Sequence, residues 1–174
     1  MKTIVVYKTK YGCTKRYAEW IAEELGCRAV DAKSIKADEL TEYDTIIYGG
    51  GLYAEVIDGV ILITKNFDKL AGKKIIVFTT GITPIEYRDY YDKYVIEKNF
   101  KPHMLDKIKI FNFPGKMLTE ELSMVHRGAL KTLKKIMSGK QNPTEMEKLL
   151  VDLCDFNDDQ TDKNAIADLI AYAK

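Results

Sequence analysis

Only three cysteines and two histidines occur in these 174 residues. Cys13, Cys27 and Cys154 are odd in number and widely spaced, so no disulfide framework is expected and a reducing cytoplasm is the natural setting. His103 and His126 stand near no cysteine or acidic pair at ligand spacing, which argues against a metal centre. No apolar run approaches the roughly 20 residues that a membrane-spanning helix needs. Met1-Lys2-Thr3-Ile4 leads straight into a strand-like segment, leaving no room for a signal peptide. Charge of either sign is not in excess either: 27 Lys and Arg balance 26 Asp and Glu, for a net charge of +1. Nothing therefore draws the chain as a whole toward nucleic acid.

Several reaction signatures are also missing. There is no Gly-x-x-x-x-Gly-Lys-Ser/Thr loop for nucleotide hydrolysis, and the first turn lacks the Gly-x-Gly-x-x-Gly of dinucleotide sites. Ser34, Ser123 and Ser138 sit in no nucleophile elbow. Phosphoryl acceptance of the receiver type needs acidic strand ends, but here the first strand ends in Tyr7-Lys8-Thr9 and the third in Tyr48-Gly49-Gly50.

What is present is an alternation of short Ile- and Val-rich runs with helical patterns. The runs 3–7, 28–31, 45–49, 74–79 and 107–112 are continuously apolar, as expected of parallel strands covered on both faces. Helices are expected at 14–25, 37–41, 58–68, 86–98, 118–137, 144–153 and 162–173. Ala18, Ile21, Ala22 and Leu25 mark the buried face of the first, and Asp162 is a natural N-cap for the last. Five such strands with a ligand loop after the first predict the doubly wound order 2-1-3-4-5. The loops 8–14, 49–57 and 80–91 then converge beyond the carboxyl ends of the strands.

The first of these loops carries the most chemistry. Ile4-Val5-Val6-Tyr7 ends in Thr9-Lys10-Tyr11-Gly12-Cys13-Thr14, which opens directly onto a helix. Unpaired N–H groups and the positive end of a helix dipole meet there, a ready site for a phosphate monoester. Thr9 and Thr14 add hydroxyl donors, and Gly12 permits close backbone approach. Cys13 reads as a spacer within the loop rather than a redox thiol. In the second loop, Gly50, Gly51, Leu52 and Tyr53 offer pliable backbone and one aromatic wall. In the third, Thr80, Gly81 and Ile82 precede Tyr87, a candidate for the opposite wall, whereas Tyr90 and Tyr91 belong to the following helix.

Val5, Val6, Tyr7, Thr9, Gly12, Thr14, Ala18 and Ile21 together resemble the phosphate-loop signature of the flavodoxin family. The resemblance implies a three-layer α/β fold over residues 1–174, a five-stranded parallel sheet with helices on both faces, and FMN as cofactor. It further implies that the second and third loops clamp the flavin ring, with Tyr53 and Tyr87 as candidate walls. A long segment, roughly 113–160, precedes the last helix and is foreign to a minimal flavodoxin. Its placement, and the run Leu133-Lys134-Lys135-Ile136-Met137-Ser138-Gly139, resemble the menaquinone-dependent protoporphyrinogen oxidases of flavodoxin type. Two functions follow as expectations: an FMN electron carrier serving a redox partner protein, or an FMN-dependent oxidoreductase linked to a quinone. Leu118, Leu122, Val125, Ala129, Leu133 and Ile136 predict the buried face of helix 118–137. Its cationic face, with Arg127, Lys131, Lys134 and Lys135, permits peripheral membrane contact.

Overall fold

The computed structural model describes residues 2–174. Along the chain run β1 (Thr3–Lys8), α1 (Cys13–Leu25), β2 (Arg28–Asp31), α2 (Ala37–Leu40), β3 (Thr45–Tyr53) and β4 (Val56–Ile57). Then come α3 (Ile61–Thr64), β5 (Lys74–Gly81), α4 (Ile96–Asn99), α5 (Pro102–Leu105) and β6 (Ile108–Pro114). The last part comprises β7 (Lys116–Met117), α6 (Met124–Ser138), α7 (Glu145–Leu153), β8 (Asp158–Asp159) and α8 (Ala167–Ala173).

The parallel core has the strand order β2-β1-β3-β5-β6, the expected 2-1-3-4-5 arrangement once the short hairpin strand β4 is set aside. The strands are apolar on both sides because both sides are covered. Ile4, Val6, Ile46, Tyr48, Ile75 and Val77 pack in one layer with residues of α2, α3 and the helical stretch 90–99. Val5, Ile47, Ile76 and Phe78 pack in the other with Tyr17, Ala18 and Ile21 of α1 and Leu169 and Ile170 of α8. Each large side chain buried in this way contributes roughly 1.5–3 kcal/mol.

Three departures from the sequence expectation bear on the site. First, β3 does not stop at residue 49 but continues to Tyr53, and Gly49, Gly50 and Gly51 pair with Phe78, Thr79 and Thr80 of β5. The glycines are strand interior rather than loop. A Cβ on Gly49 would stand 2.0 Å from the Phe78 ring, and one on Gly50 would stand 2.6 Å from Ile57 Cγ2 and 2.7 Å from the Asp58 carbonyl oxygen. Their small size makes room for neighbours.

Second, the helix expected at 58–68 is shortened to α3 and a single turn at Asp68–Leu70. Gly59, at φ +71°, turns the chain before α3, and a Cβ there would collide with the Tyr48 hydroxyl at 2.4 Å. The helix expected at 86–98 begins late and runs as wide π turns over Tyr90–Val95 before tightening into α4.

Third, the insert is bounded by a ribbon in which Lys116 and Met117 pair antiparallel with Asp159 and Asp158. Between them α6 and α7 form a helical hairpin, each started by its own cap. The Ser123 hydroxyl accepts from the His126 N–H, and Thr144 exchanges bonds with Glu147 in a capping box. Because Ser123 starts the helix, Leu118 and Leu122 precede it instead of lying on its face. Val125 and Ile136, expected to be buried, are 77% and 57% exposed. Leu130, Leu133 and Met137 are the half-buried apolar positions, so of the expected stripe Leu133 alone lies on the covered side of α6.

Candidate functional site

At the carboxyl end of the sheet the β1–α1 loop is shaped by two local devices. Gly12 takes φ +82° as the N-cap of α1, with nothing within 4 Å of a Cβ built on it. Glycine is thus required there by the left-handed backbone rather than by crowding. The Thr9 Oγ1 accepts from the Gly12 N–H at 3.0 Å, bracing the loop and leaving the Thr9 O–H free to donate. Gly12 has no side chain to cap the helix, so the first-turn N–H groups of Cys13, Thr14 and Lys15 point outward without a side-chain acceptor. Anions are favoured at such a terminus by the helix dipole as well.

The third loop meets the first through a buried pair. Thr14 Oγ1 lies 2.8 Å from Thr80 Oγ1, and both residues are nearly inaccessible. Cys13 sits beside them, 7% exposed, and burial pushes its thiol above the usual cysteine value. A protonated, covered thiol suits the spacer role and not that of a nucleophile. Gly81 continues β5 with the Leu52 side chain 3.3 Å from where its Cβ would be.

β3 contributes Tyr53. A Cβ on Gly51 would stand 3.2 Å from the Tyr53 ring, 3.6 Å from the Tyr53 hydroxyl and 3.6 Å from Thr14 Oγ1. The ring therefore folds back over the strand end with its hydroxyl directed toward the cradle. Although the residue as a whole is 37% exposed, burial of the hydroxyl pushes its pKa up to about 12. The carbonyl of Gly51 is committed to the Asp58 N–H at 2.9 Å and is not free to turn, which corrects the expectation of a pliable glycine loop. The strained backbone lies one step further on: Ala54 and Glu55 form the β3–β4 turn at φ +47° and +63°.

A residue that sequence reasoning assigned to no site completes the junction. His126, in the first turn of α6, places Nδ1 2.7 Å from the Tyr11 hydroxyl and Nε2 3.2 Å from Lys10 Nζ. Its ring lies 5.7 Å from that of Tyr53. The contact joins residues more than a hundred positions apart, and no local pattern in the sequence signals it. The structure thus brings Thr9, Lys10, Tyr11, Gly12, Cys13, Thr14, Gly51, Tyr53 and Thr80 to one place. Gly50, Leu52 and Gly81 support it from the strands. Ile82 is half-buried in the loop that follows β5, and Tyr87 is exposed there. Tyr87 is 40% exposed and, among the described residues, its ring meets neither Tyr53 nor His126.

The sequence from residue 4 to 144 matches the family model of the flavodoxin domain. Among solved structures, a flavodoxin from the domain Archaea is 18% identical, covering 88% of this chain and 96% of its own, with a TM-score of 0.45. The Trp repressor binding protein of Bacillus subtilis is 15% identical over 66% of this chain and 85% of its own, with a TM-score of 0.49. Flavodoxin 2 of Bacillus cereus is 22% identical over 64% and 84%, with a TM-score of 0.39. No curated protein matches the sequence.

Proposed function

We propose a function from one premise: this chain belongs to the flavodoxin-domain family, whose cofactor is FMN. On this reading the β1–α1 loop holds the FMN phosphate, through the N–H groups of Cys13, Thr14 and Lys15 and the hydroxyls of Thr9 and Thr14. The observation that carries it is the uncapped first turn of α1 behind a left-handed Gly12, at the carboxyl end of the sheet where β1, β3 and β5 end. Tyr53 then serves as one wall for the flavin ring. Tyr87 reaches the other side only if the loop following β5 moves inward.

FMN, when bound, supplies one- and two-electron redox chemistry. The protein's part is to hold the phosphate, exclude water from one ring face and leave an edge for electron exchange. The function we infer is electron transfer through bound FMN. Its test is whether the purified protein is yellow and releases FMN by mass, or takes FMN up when colourless. A colourless protein that cannot be loaded contradicts it.

A second reading, an FMN-dependent oxidoreductase linked to a quinone, is favoured by one observation. The insert does not lie away from the cofactor site; its first helical turn rests on the phosphate loop through Tyr11 and His126. Porphyrin fluorescence, followed with protoporphyrinogen and menaquinone against free FMN, decides between the two. A quinone would be met at a membrane. The exposed face of α6, with Met124, Val125 and Ile136 beside Lys131 and Lys135, fits an anionic lipid surface by both polarity and charge. Sedimentation with anionic vesicles tests that contact.

A further inference from the structure

Lys10 and His126 bring two nitrogens within 3.2 Å of each other at the phosphate loop. The hydrogen-bond roles of this pair are restricted. An ammonium group only donates, so His126 Nε2 must accept from Lys10 Nζ. The imidazole proton then lies on Nδ1 and is donated to the Tyr11 hydroxyl, 2.7 Å away. The Tyr11 oxygen also receives the Ser123 N–H at 3.4 Å. Lys10 Nζ stands 5.7 Å from the centre of the Tyr11 ring, which holds the ammonium against an electron-rich face.

No carboxylate completes the cluster. Among the described residues, Lys10 takes part in no ion pair, whereas its neighbour Lys8 pairs with Asp58 at 3.0 Å. Charged groups of the segment that leads into α6, and of its first turn, are engaged elsewhere. Glu121 pairs with Lys116, and the Arg127 guanidinium donates to the carbonyls of Leu122 and Glu120. A cation and an imidazole without an acidic partner, on the same loop as an uncapped helix N-terminus, lack one component. That component is an anion.

We propose that Lys10 and His126 form a side-chain anion clamp that the insert adds to the backbone cradle, and that the clamp recognises the phosphate monoester of the flavin. The inference rests on the FMN reading above and extends it. The cradle binds the phosphate from the helix side, through N–H groups and hydroxyls. The clamp closes from the insert side, with Lys10 as a charged donor. His126, both of whose ring nitrogens are engaged, orients that ammonium. The insert thereby belongs to the cofactor site, and phosphate binding and the seating of α6 on the loop favour each other.

The test compares FMN with riboflavin, which differs only in lacking the phosphate. Affinity of the full-length protein for each is measured by quenching of flavin fluorescence. Lys10→Gln is expected to weaken FMN about tenfold, the equivalent of one charge-assisted hydrogen bond, and His126→Gln several-fold through loss of the acceptor that orients the ammonium, while riboflavin changes less than twofold. Lys10→Arg restores FMN affinity. Tyr11→Phe, which loosens the insert without removing a cation, is expected to cost much less than either. Equal losses for both flavins, or a Tyr11→Phe loss as large as that of His126→Gln, would show that the cluster only positions the insert, and would overturn the clamp. Inorganic phosphate supplies a readout without flavin: its addition moves the ring nitrogen signals of His126 and leaves those of His103 in place. If FMN binds and depends on Thr14 while the His126 signals stay still, the clamp falls and the FMN reading stands. A protein that binds neither flavin overturns both.

Discussion

The side-chain amide of Asn99 donates to the carbonyl of Glu55, 2.6 Å away and 44 residues earlier in the chain, and so holds a turn that its own residues resist. Ala54 and Glu55 both carry positive φ, which costs each non-glycine residue roughly 1–2 kcal/mol. Asn99 also donates to the Val95 carbonyl and accepts from the Ile57 N–H at 2.8 Å. The Lys98 ammonium closes on Glu55 at 2.9 Å. Asn99→Leu is therefore expected to destabilise the protein by about 2–4 kcal/mol, since it leaves the Ile57 N–H and the Glu55 carbonyl without partners. Denaturant unfolding measures the loss, and hydrogen exchange at residues 53–57 is expected to accelerate first.

The glycines at the end of β3 give a graded prediction. Gly49→Ala and Gly50→Ala drive a methyl into the Phe78 ring or into the backbone of Asp58, and each is expected to cost about 1–3 kcal/mol or more. Gly51→Ala meets only the movable Tyr53 ring at 3.2 Å and should be nearly neutral. Equal tolerance at all three positions in thermal unfolding would restore the reading of a flexible loop.

The Thr14–Thr80 pair is expected to couple flavin affinity with stability. Thr14→Val removes a hydroxyl from the cradle and leaves that of Thr80 without its partner. A loss of about 1–3 kcal/mol in stability is expected. FMN affinity should fall about tenfold or more with riboflavin affinity little changed, a difference that fluorescence titration resolves.

Thr45 reports on the core alone. Its hydroxyl is buried with no partner in any described residue, at the start of β3 where a β-branched residue is favoured. Thr45→Val should stabilise the protein by about 1 kcal/mol, read from the unfolding midpoint, without altering flavin binding.

The return of the insert is sensitive to acid. Burial works to raise the Asp159 carboxyl, but the Thr161 hydroxyl and the Arg16 guanidinium outweigh it and hold the group below the usual carboxylate value. A depressed folded value means that the stabilisation is complete above the unfolded value of about 4 and is lost as pH falls through the folded one. The pair is partly exposed, so its contribution is below about 1 kcal/mol. Arg16→Gln should lower stability at pH 7 and reduce the further loss as pH falls below about 4, followed by denaturant midpoints across that acid range.

The sheet was legible because its physics is local. Ile and Val runs covered on both faces announce parallel strands, and a hydroxyl-rich, glycine-containing loop announces the start of α1. The glycine run misled because Gly49–Gly51 has the composition of a loop, and only the Phe78 ring and the Ile57 and Asp58 atoms that need its space make it strand. On α6 the sequence pattern pointed to the face with Val125, Ala129 and Ile136, whereas in the fold the half-buried apolar residues are Leu130, Leu133 and Met137. His126 was invisible for the same reason: its partners are supplied by tertiary contact, across a separation of 115 residues from Tyr11.

The ribbon of β7 and β8 gives the insert a single doorway, since the chain leaves at Lys116–Met117 and returns directly opposite at Asp158–Asp159. A segment with one doorway is a cassette: its length and content can change while β6 and α8 keep their places. Tyr11 and His126 are the point at which a change in the cassette would be felt by the β1–α1 loop.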